Sequence, residues 1–185
     1  MSSQAEEKWS MIEGEIIKLL QSQHICVLGT VAITGGALVH GMHYVSDGLT
    51  VYVSSLRGTR KLLNIGKDPR VAYAVWLLPG HDNRHEARSL QMQAIAQFVT
   101  DEAERAKAIE LMGEKEPWSK GTLLMRTNRW VRLTPVEAMW QQGAEEIDSR
   151  QIVRFSPQGK ITDVMLYPNY VKGIYTPAAE QDPDE

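Results

Sequence analysis

The spacing of apolar residues changes character several times along the chain, and each change marks an element. Between Gln4 and Leu20 the positions Trp9, Ile12, Ile16, Leu19 and Leu20 recur at three- and four-residue steps. Glu6, Glu7, Glu13 and Lys18 lie elsewhere on the cylinder, which predicts an amphipathic helix. Three strand-like runs follow. His24–Ile33 is rich in β-branched residues and stops at Thr34-Gly35-Gly36, Ala37–Ser46 ends at the hairpin signal Asp47-Gly48, and Leu49–Ser54 is the third. Two hairpins so close together predict an antiparallel meander rather than parallel βαβ units.

A short helix is expected from Thr59 to Gly66, with Thr59 as its N-cap and Asp68-Pro69 as its end. Val71–Leu78 is apolar throughout, which predicts a central barrel strand buried on both faces. Pro79–Ala87 reads as a polar loop. Leu90–Val99 alternates Gln91, Gln93 and Gln97 with apolar neighbours and reads as a strand, and Asp101–Met112 as a helix started by Asp101. Thr122–Leu133 and Val136–Gln141 suggest two strands broken at Pro135. Ile152–Phe155 reads as a last strand, running through Ser156-Pro157-Gln158-Gly159 into an extended tail. No strand is followed by a long helix and a parallel return, so the order describes a mainly β, antiparallel barrel of six to eight strands with peripheral helices. The expected organisation is an N-terminal helix (1–22), a barrel (23–156) and an extended C-terminal tail (157–185) whose last residues, from Pro177, have a disorder-prone composition.

Composition narrows the class. A chain of 185 residues can build a core without staples, and its one cysteine, Cys26, excludes both an internal disulfide and a multi-cysteine zinc site. Cys26 lies inside the first strand, where an inert buried thiol is expected. Val71–Leu78 is far shorter than the about 20 apolar residues that span a bilayer. Met1–Lys8 is polar and acidic, unlike a secretory leader, so a cytoplasmic protein is expected. The net charge of −3 argues against binding nucleic acid through overall charge.

Charge is unevenly spread. The last ten residues hold four acids and no base. Between Arg57 and Arg70 stand five bases (Arg57, Arg60, Lys61, Lys67, Arg70) against one acid, Asp68. Such a cluster is either a solvated helix face or an anion site. For a phosphate, Arg60 offers a two-pronged fork and Lys61 a point charge, while Ser55, Thr59 and the N–H groups at the helix start add neutral donors.

The segment Val51–Ala72, VYVSSLRGTRKLLNIGKDPRVA, resembles the pyridoxamine 5'-phosphate oxidase-like family of FMN-binding split β-barrels. The matching features are Ser54-Ser55 at a strand end, Thr59-Arg60-Lys61, and Asp68-Pro69-Arg70-Val71. Gly29-Thr30-Val31 and Gly35-Gly36 ahead of the Asp47-Gly48 hairpin fit as well, and the likeness runs from Leu20 to Trp140. The resemblance implies a split barrel in which Ser54, Ser55, Thr59, Arg60 and Lys61 hold the FMN phosphate. It implies that Val39–Tyr44 runs along the flavin ring, making Met42, His43 and Tyr44 ring-pocket candidates. Ser89 and Gln91 stand where a later strand approaches the flavin, and Trp140 where an aromatic could lie beside it, although a tryptophan there also suits a core. The oxidases that name the family end in an Arg-x-His-type segment. This chain has Arg150-Gln-Ile-Val-Arg154 and an acidic tail instead, so the likeness is to the broad family rather than to that oxidase.

The implied function is a cytoplasmic, homodimeric FMN-binding oxidoreductase with sites at the dimer interface and a small-molecule redox substrate. No nucleic acid, membrane or metal is implied. No catalytic side chain is needed, because the cofactor carries the redox chemistry. The alternatives are a flavin-binding electron carrier, a deazaflavin- or haem-binding relative on the same barrel, and an interaction protein with an empty barrel. His40 reads as an ordinary strand residue. His81 and His85, with Asp82 and Glu86 beside them, have the spacing of metal ligands but lack an apolar helical face, and a loop near the pocket is the better reading.

Overall fold

The computed structural model describes residues 3–78, 83–119, 121, 128–143 and 150–167. The meander forms where the hairpin signals put it. After α1 (Ser3–Ser22), the strands β1 (Ile25–Val31), β2 (Ala37–Asp47) and β3 (Thr50–Leu56) pair antiparallel. Gly48 takes a φ of +58° at the tip of the second hairpin, a left-handed conformation in which glycine has no Cβ to clash.

The chain continues as α2 (Arg60–Lys67), β4 (Arg70–Leu77), β5 (Arg88–Phe98), α3 (Glu102–Lys115), β6 (Asn128–Gln142), β7 (Arg150–Phe155) and β8 (Ile161–Leu166). Strand order is β3-β2-β1-β4-β5-β6-β7-β8, and β6 also returns to β3. Six strands therefore close into an antiparallel barrel, and β7 and β8 extend the sheet beyond it. The split lies in β6. Its first part, Asn128–Leu133, pairs with β3, and Glu137–Gln141 pairs with β7.

Three details differ from the sequence reading. Pro135 does not break β6, because the register against β5 shifts between Gln93 and Ala94, directly opposite. A bulge tolerates a residue that has no N–H to give. The chain does not run into a tail after Ser156: it turns at Pro157–Gly159, where Gly159 has a φ of +76°, and returns as β8. Third, β4 is buried on one face only. Val71, Tyr73 and Val75 point inward, whereas Ala72 and Trp76 face out and Trp76 and Leu78 are 44% and 74% exposed. A barrel strand has a single inner face, and among the described residues no helix covers the outer one here. The segments Thr122–Thr127, Pro79–Asp82 and the acidic tail lie outside the described residues.

The core fills the barrel. Ile12, Ile16, Leu19 and Leu20 of α1 pack onto it, and α2 adds Leu62 and Ile65. Each such side chain contributes about 1.5–3 kcal/mol through burial. A second cluster, Val45, Tyr52, Val99, Ala108, Met112 and Trp130, lies between α3 and the outer surface of the barrel. The Asp101 side chain caps α3 by accepting from the Glu104 N–H at 2.7 Å. Through this packing, α3 brings its C-terminal end beside β2.

Candidate cofactor site

The turn from β3 into α2 gathers the hydroxyls and one of the cations. Gly58, with a φ of +80°, reverses the chain so that the helix start lies back against the strand end. The Ser55 and Thr59 hydroxyls are 3.0 Å apart, and Lys61 Nζ donates to Ser55 Oγ at 3.3 Å. Thr59 stands at the N-cap position with an extended backbone, but its hydroxyl caps nothing. Its carbonyl accepts from the N–H groups of Leu62 and Leu63, while the side chain turns to Ser55. This corrects the capping expectation. The hydroxyl is committed to the Ser55–Lys61 group instead.

Lys61, Ser54 and Ser55 line a cavity of about 430 Å³, together with Gly41, Met42 and His43 of β2, Met112 of α3, and Trp118. The volume lies in the range of small-ligand pockets. No atom lies within 4 Å of where a Cβ on Gly41 would stand, so β2 passes the cavity with bare backbone. Arg60 is exposed on the same first turn of α2. Burial lowers the His40 imidazole pKa, and the charges of Lys61 and Arg60 lower it further. Both cations therefore project their field over the β1–β2 edge. His40 Nε2 lies 3.4 Å from Thr30 Oγ1, which accepts from the buried Asn64 amide at 2.9 Å.

A carboxylate lies behind the His43 and Trp118 wall of the cavity. Glu116, just past α3, is buried, and its Oε1 accepts from His24 Nδ1 at 2.8 Å and His43 Nδ1 at 3.1 Å. Its Oε2 accepts from Trp118 Nε1 at 2.6 Å. Burial pushes the carboxyl pKa up, but the three donors outweigh that and hold it below its ordinary value, so the group is ionised. His43 and Trp118 meet edge to face with ring centres 5.0 Å apart.

The other predicted site residues are scattered. Tyr44 is fully buried. Its hydroxyl donates to the Leu20 carbonyl at 2.8 Å, and the Lys115 ammonium lies 4.0 Å from its ring centre, so it joins α1 and α3 to the barrel rather than lining the cavity. Trp140 is 1% exposed in the core and lines neither this cavity nor the next. Ser89 and Gln91 line a second, larger hollow of about 750 Å³ over the outer faces of β1, β4 and β5, with Val39 and Trp76. Val39 borders this hollow and Gly41 and His43 border the first, so the two flank one stretch of β2. His85 is exposed beside Glu86, and His81 and Asp82 lie outside the described residues. Among the described residues no group of three His, Cys, Asp or Glu is arranged to hold a metal ion.

The sequence reading did not single out His24, Glu116 or Trp118. Glu116 lies 92 residues from His24 and 73 from His43, and no motif spacing joins them. Only the packing of α3 brings the three together.

Residues 13–142 match the family model described as pyridoxamine 5'-phosphate oxidase. The chain belongs to this family. Solved structures share the fold. A haem-binding protein from Mycobacterium smegmatis superposes with a TM-score of 0.68 at 14% identity, over 77% of this chain and 57% of that one. The haem storage protein HutZ from Vibrio cholerae gives 0.60 at 21% identity, over 73% and 99%. A Listeria innocua protein assigned as a pyridoxamine 5'-phosphate oxidase gives 0.57 at 20% identity, over 70% and 97%. Comparison with curated protein sequences finds no match. In this family member no described helix is long and apolar enough to cross a membrane.

Proposed function

We propose that the protein is a cytoplasmic FMN-binding oxidoreductase. The Ser55–Thr59–Lys61 group, of which Ser55 and Lys61 line the first cavity, carries this reading. Two hydroxyls and an ammonium within hydrogen-bond reach of one another suit the three acceptor oxygens and near-double charge of a phosphate monoester. Arg60 adds a second cation, and Ser54 lines the wall above. The bare backbone of β2 at Gly41, with Met42 and His43, would hold the flavin ring. A bound flavin supplies exchange of an electron pair, and the side chains around it bind, orient and exclude water.

The working unit is a homodimer. The outer surface bearing Trp76, Leu78 and Val39 is apolar and has no covering helix among the described residues, which suits a second copy of the chain. Ser89 and Gln91 lie on that surface, so in the dimer they reach the cofactor from the interface side. The substrate is a small molecule admitted at the mouth of the first cavity.

Haem in the same cavity is a second reading. It is favoured by the half-exposed His43 imidazole at the cavity wall, a ligand type that haem iron takes, and two of the structural neighbours are haem proteins. The visible spectrum of the purified protein, with titrations of FMN, riboflavin and haem, separates the readings. Tight FMN binding with much weaker riboflavin binding supports the proposal. Equal binding of the two flavins removes the phosphate site, and a haem spectrum without FMN affinity replaces the flavin by haem.

A further inference from the structure

The carboxylate group behind the His43 and Trp118 wall of the cavity takes no part in holding a phosphate, yet it is the most fully connected polar cluster there. Both oxygens of Glu116 are filled by His24, His43 and Trp118. An ionised carboxylate can only accept, so His43 carries a proton on Nδ1. Its other nitrogen, Nε2, has no partner among the described residues, while the side chain is 43% exposed and lines the cavity. Trp118 stands edge-on at 5.0 Å and, with the Nδ1 bond, limits rotation of the ring. The arrangement is a buried carboxylate, an imidazole oriented by it at the cavity wall, and a second ring nitrogen without a partner among the described residues.

The geometry points to His43 as the proton-transfer residue of this cavity, positioned by Glu116, for conjugated carbonyl compounds with an apolar body. This rests on the flavin reading above. The walls suit the class: Met42, Leu56, Met112 and Trp118 offer apolar contact, and the His43 imidazolium, with Nδ1 committed to Glu116, has one N–H left at Nε2 for one acceptor oxygen. A flavin held in the cavity would supply the hydride, an electron pair with one proton. The carbonyl compound gains this hydride at its β-carbon. Its oxygen takes the proton from Nε2 of the His43 imidazolium: the N–H bond breaks, an O–H bond forms, and the product is the enol, which reverts to the saturated carbonyl in water. His43 is left neutral with its proton on Nδ1, and solvent recharges Nε2. General acid catalysis of this kind contributes about 10²–10⁴-fold.

The test has a cofactor-independent arm and a reactive arm. Long-range proton–nitrogen NMR on the purified protein should show neutral His43 protonated at Nδ1, and Glu116→Gln should move the population toward the Nε2–H form. In the second arm, fully FMN-loaded protein is photoreduced without oxygen and mixed with cinnamaldehyde. Reoxidation should slow at least 100-fold in His43→Ala and about 10-fold in Glu116→Gln, and added imidazole should restore part of the His43→Ala rate. Lys67→Ala, remote from the cavity, should match the wild type. A His43 tautomer protonated at Nε2 in the wild type overturns the positioning by Glu116. Unchanged rates in His43→Ala, or no reaction of the wild type with cinnamaldehyde, overturn the proton transfer. Failure to load FMN at all is the separate failure of the flavin reading, and the NMR arm still reports on the Glu116–His43 pair.

Discussion

Lys61 Nζ donates to Ser55 Oγ at 3.3 Å across the turn that joins β3 to α2, linking the strand end to the first turn of the helix. The turn is made possible by the left-handed Gly58, and the Ser55 hydroxyl also meets Thr59 at 3.0 Å. Lys61→Ala should therefore weaken FMN binding by about 10- to 150-fold, the worth of one charge-assisted contact of roughly 1.5–3 kcal/mol. Riboflavin, which lacks the phosphate, should bind the variant as it binds the wild type. Lys67→Ala should change neither, since an exposed charge without a direct bond is screened. Fluorescence titration of both flavins reads all three.

Gly41 tests the ring pocket. A valine side chain there enters open space, so the fold should tolerate it, with a change in stability within about 0.5 kcal/mol of zero, as for other surface substitutions. FMN and riboflavin should both lose affinity by tenfold or more, because the branched side chain occupies the surface the ring needs. Thermal unfolding and flavin titration separate the two effects. A variant that binds both flavins normally would place the ring elsewhere.

Lys115 gives a pH signature. Burial lowers its pKa from 10.5 to about 8, so between these values the unfolded chain holds a proton that the folded protein has lost, and stability rises with pH. Cys26 acts in the opposite sense. Burial raises its thiol pKa from 9.0 to about 12, so above 9 the folded state keeps a proton that the unfolded chain sheds, and stability falls. Unfolding free energy should climb from about pH 8 to 9 and then level off. Lys115→Met should abolish the climb, and Cys26→Ser should let it continue toward pH 10, where burial of Tyr44 and Tyr73 begins to oppose it. Urea unfolding across this range is the measurement.

The uncovered outer surface predicts the assembly. Trp76→Glu places a charge on an outward position of β4 that is 44% exposed in the single chain. Sedimentation should show the wild type as a dimer and this variant shifted to monomer at micromolar concentration. If the wild type sediments as a monomer with cofactor bound, the interface assignment is wrong.

Tyr44 separates core from site. Tyr44→Phe removes the donor to the Leu20 carbonyl, which still accepts from Lys115 Nζ at 2.9 Å. The loss should be about 1 kcal/mol of stability, with flavin affinity unchanged. A drop in FMN affinity at constant stability would return Tyr44 to the ring pocket.

Much of this architecture is legible in local sequence because local physics decides it. The α1 stripe, the Asp47-Gly48 hairpin and the capping Asp101 each act within a few residues, and the structure places each as the pattern implies. The Thr59-Arg60-Lys61 run is also local, so its clustering survives folding, although only packing shows that Thr59 turns its hydroxyl to Ser55 and leaves the helix end uncapped. Pro135 misleads because a proline is read as a strand break, whereas a bulge beside it, with Val136 the extra residue against Gln93 and Ala94 of β5, lets β6 continue. The apolar run in β4 misleads for a related reason. Sequence reports that both faces are apolar, but whether the outer face is covered depends on where the helices settle.

The sequence by itself determined the elements, the barrel class and the basic, hydroxyl-rich turn, since each depends on periodicity, turn chemistry or adjacent residues. Tertiary structure alone decided which candidates share a cavity. Adjacent side chains on a strand face opposite ways, so His43 and Tyr44 parted company: His43 turned to the cavity wall while Tyr44, on the same buried face as Met42, was sealed beneath α1. It alone also joined His24, His43 and Glu116, because a hydrogen bond of 2.8–3.1 Å between residues 73 to 92 positions apart arises only when α3 packs across the barrel and delivers its end to β2.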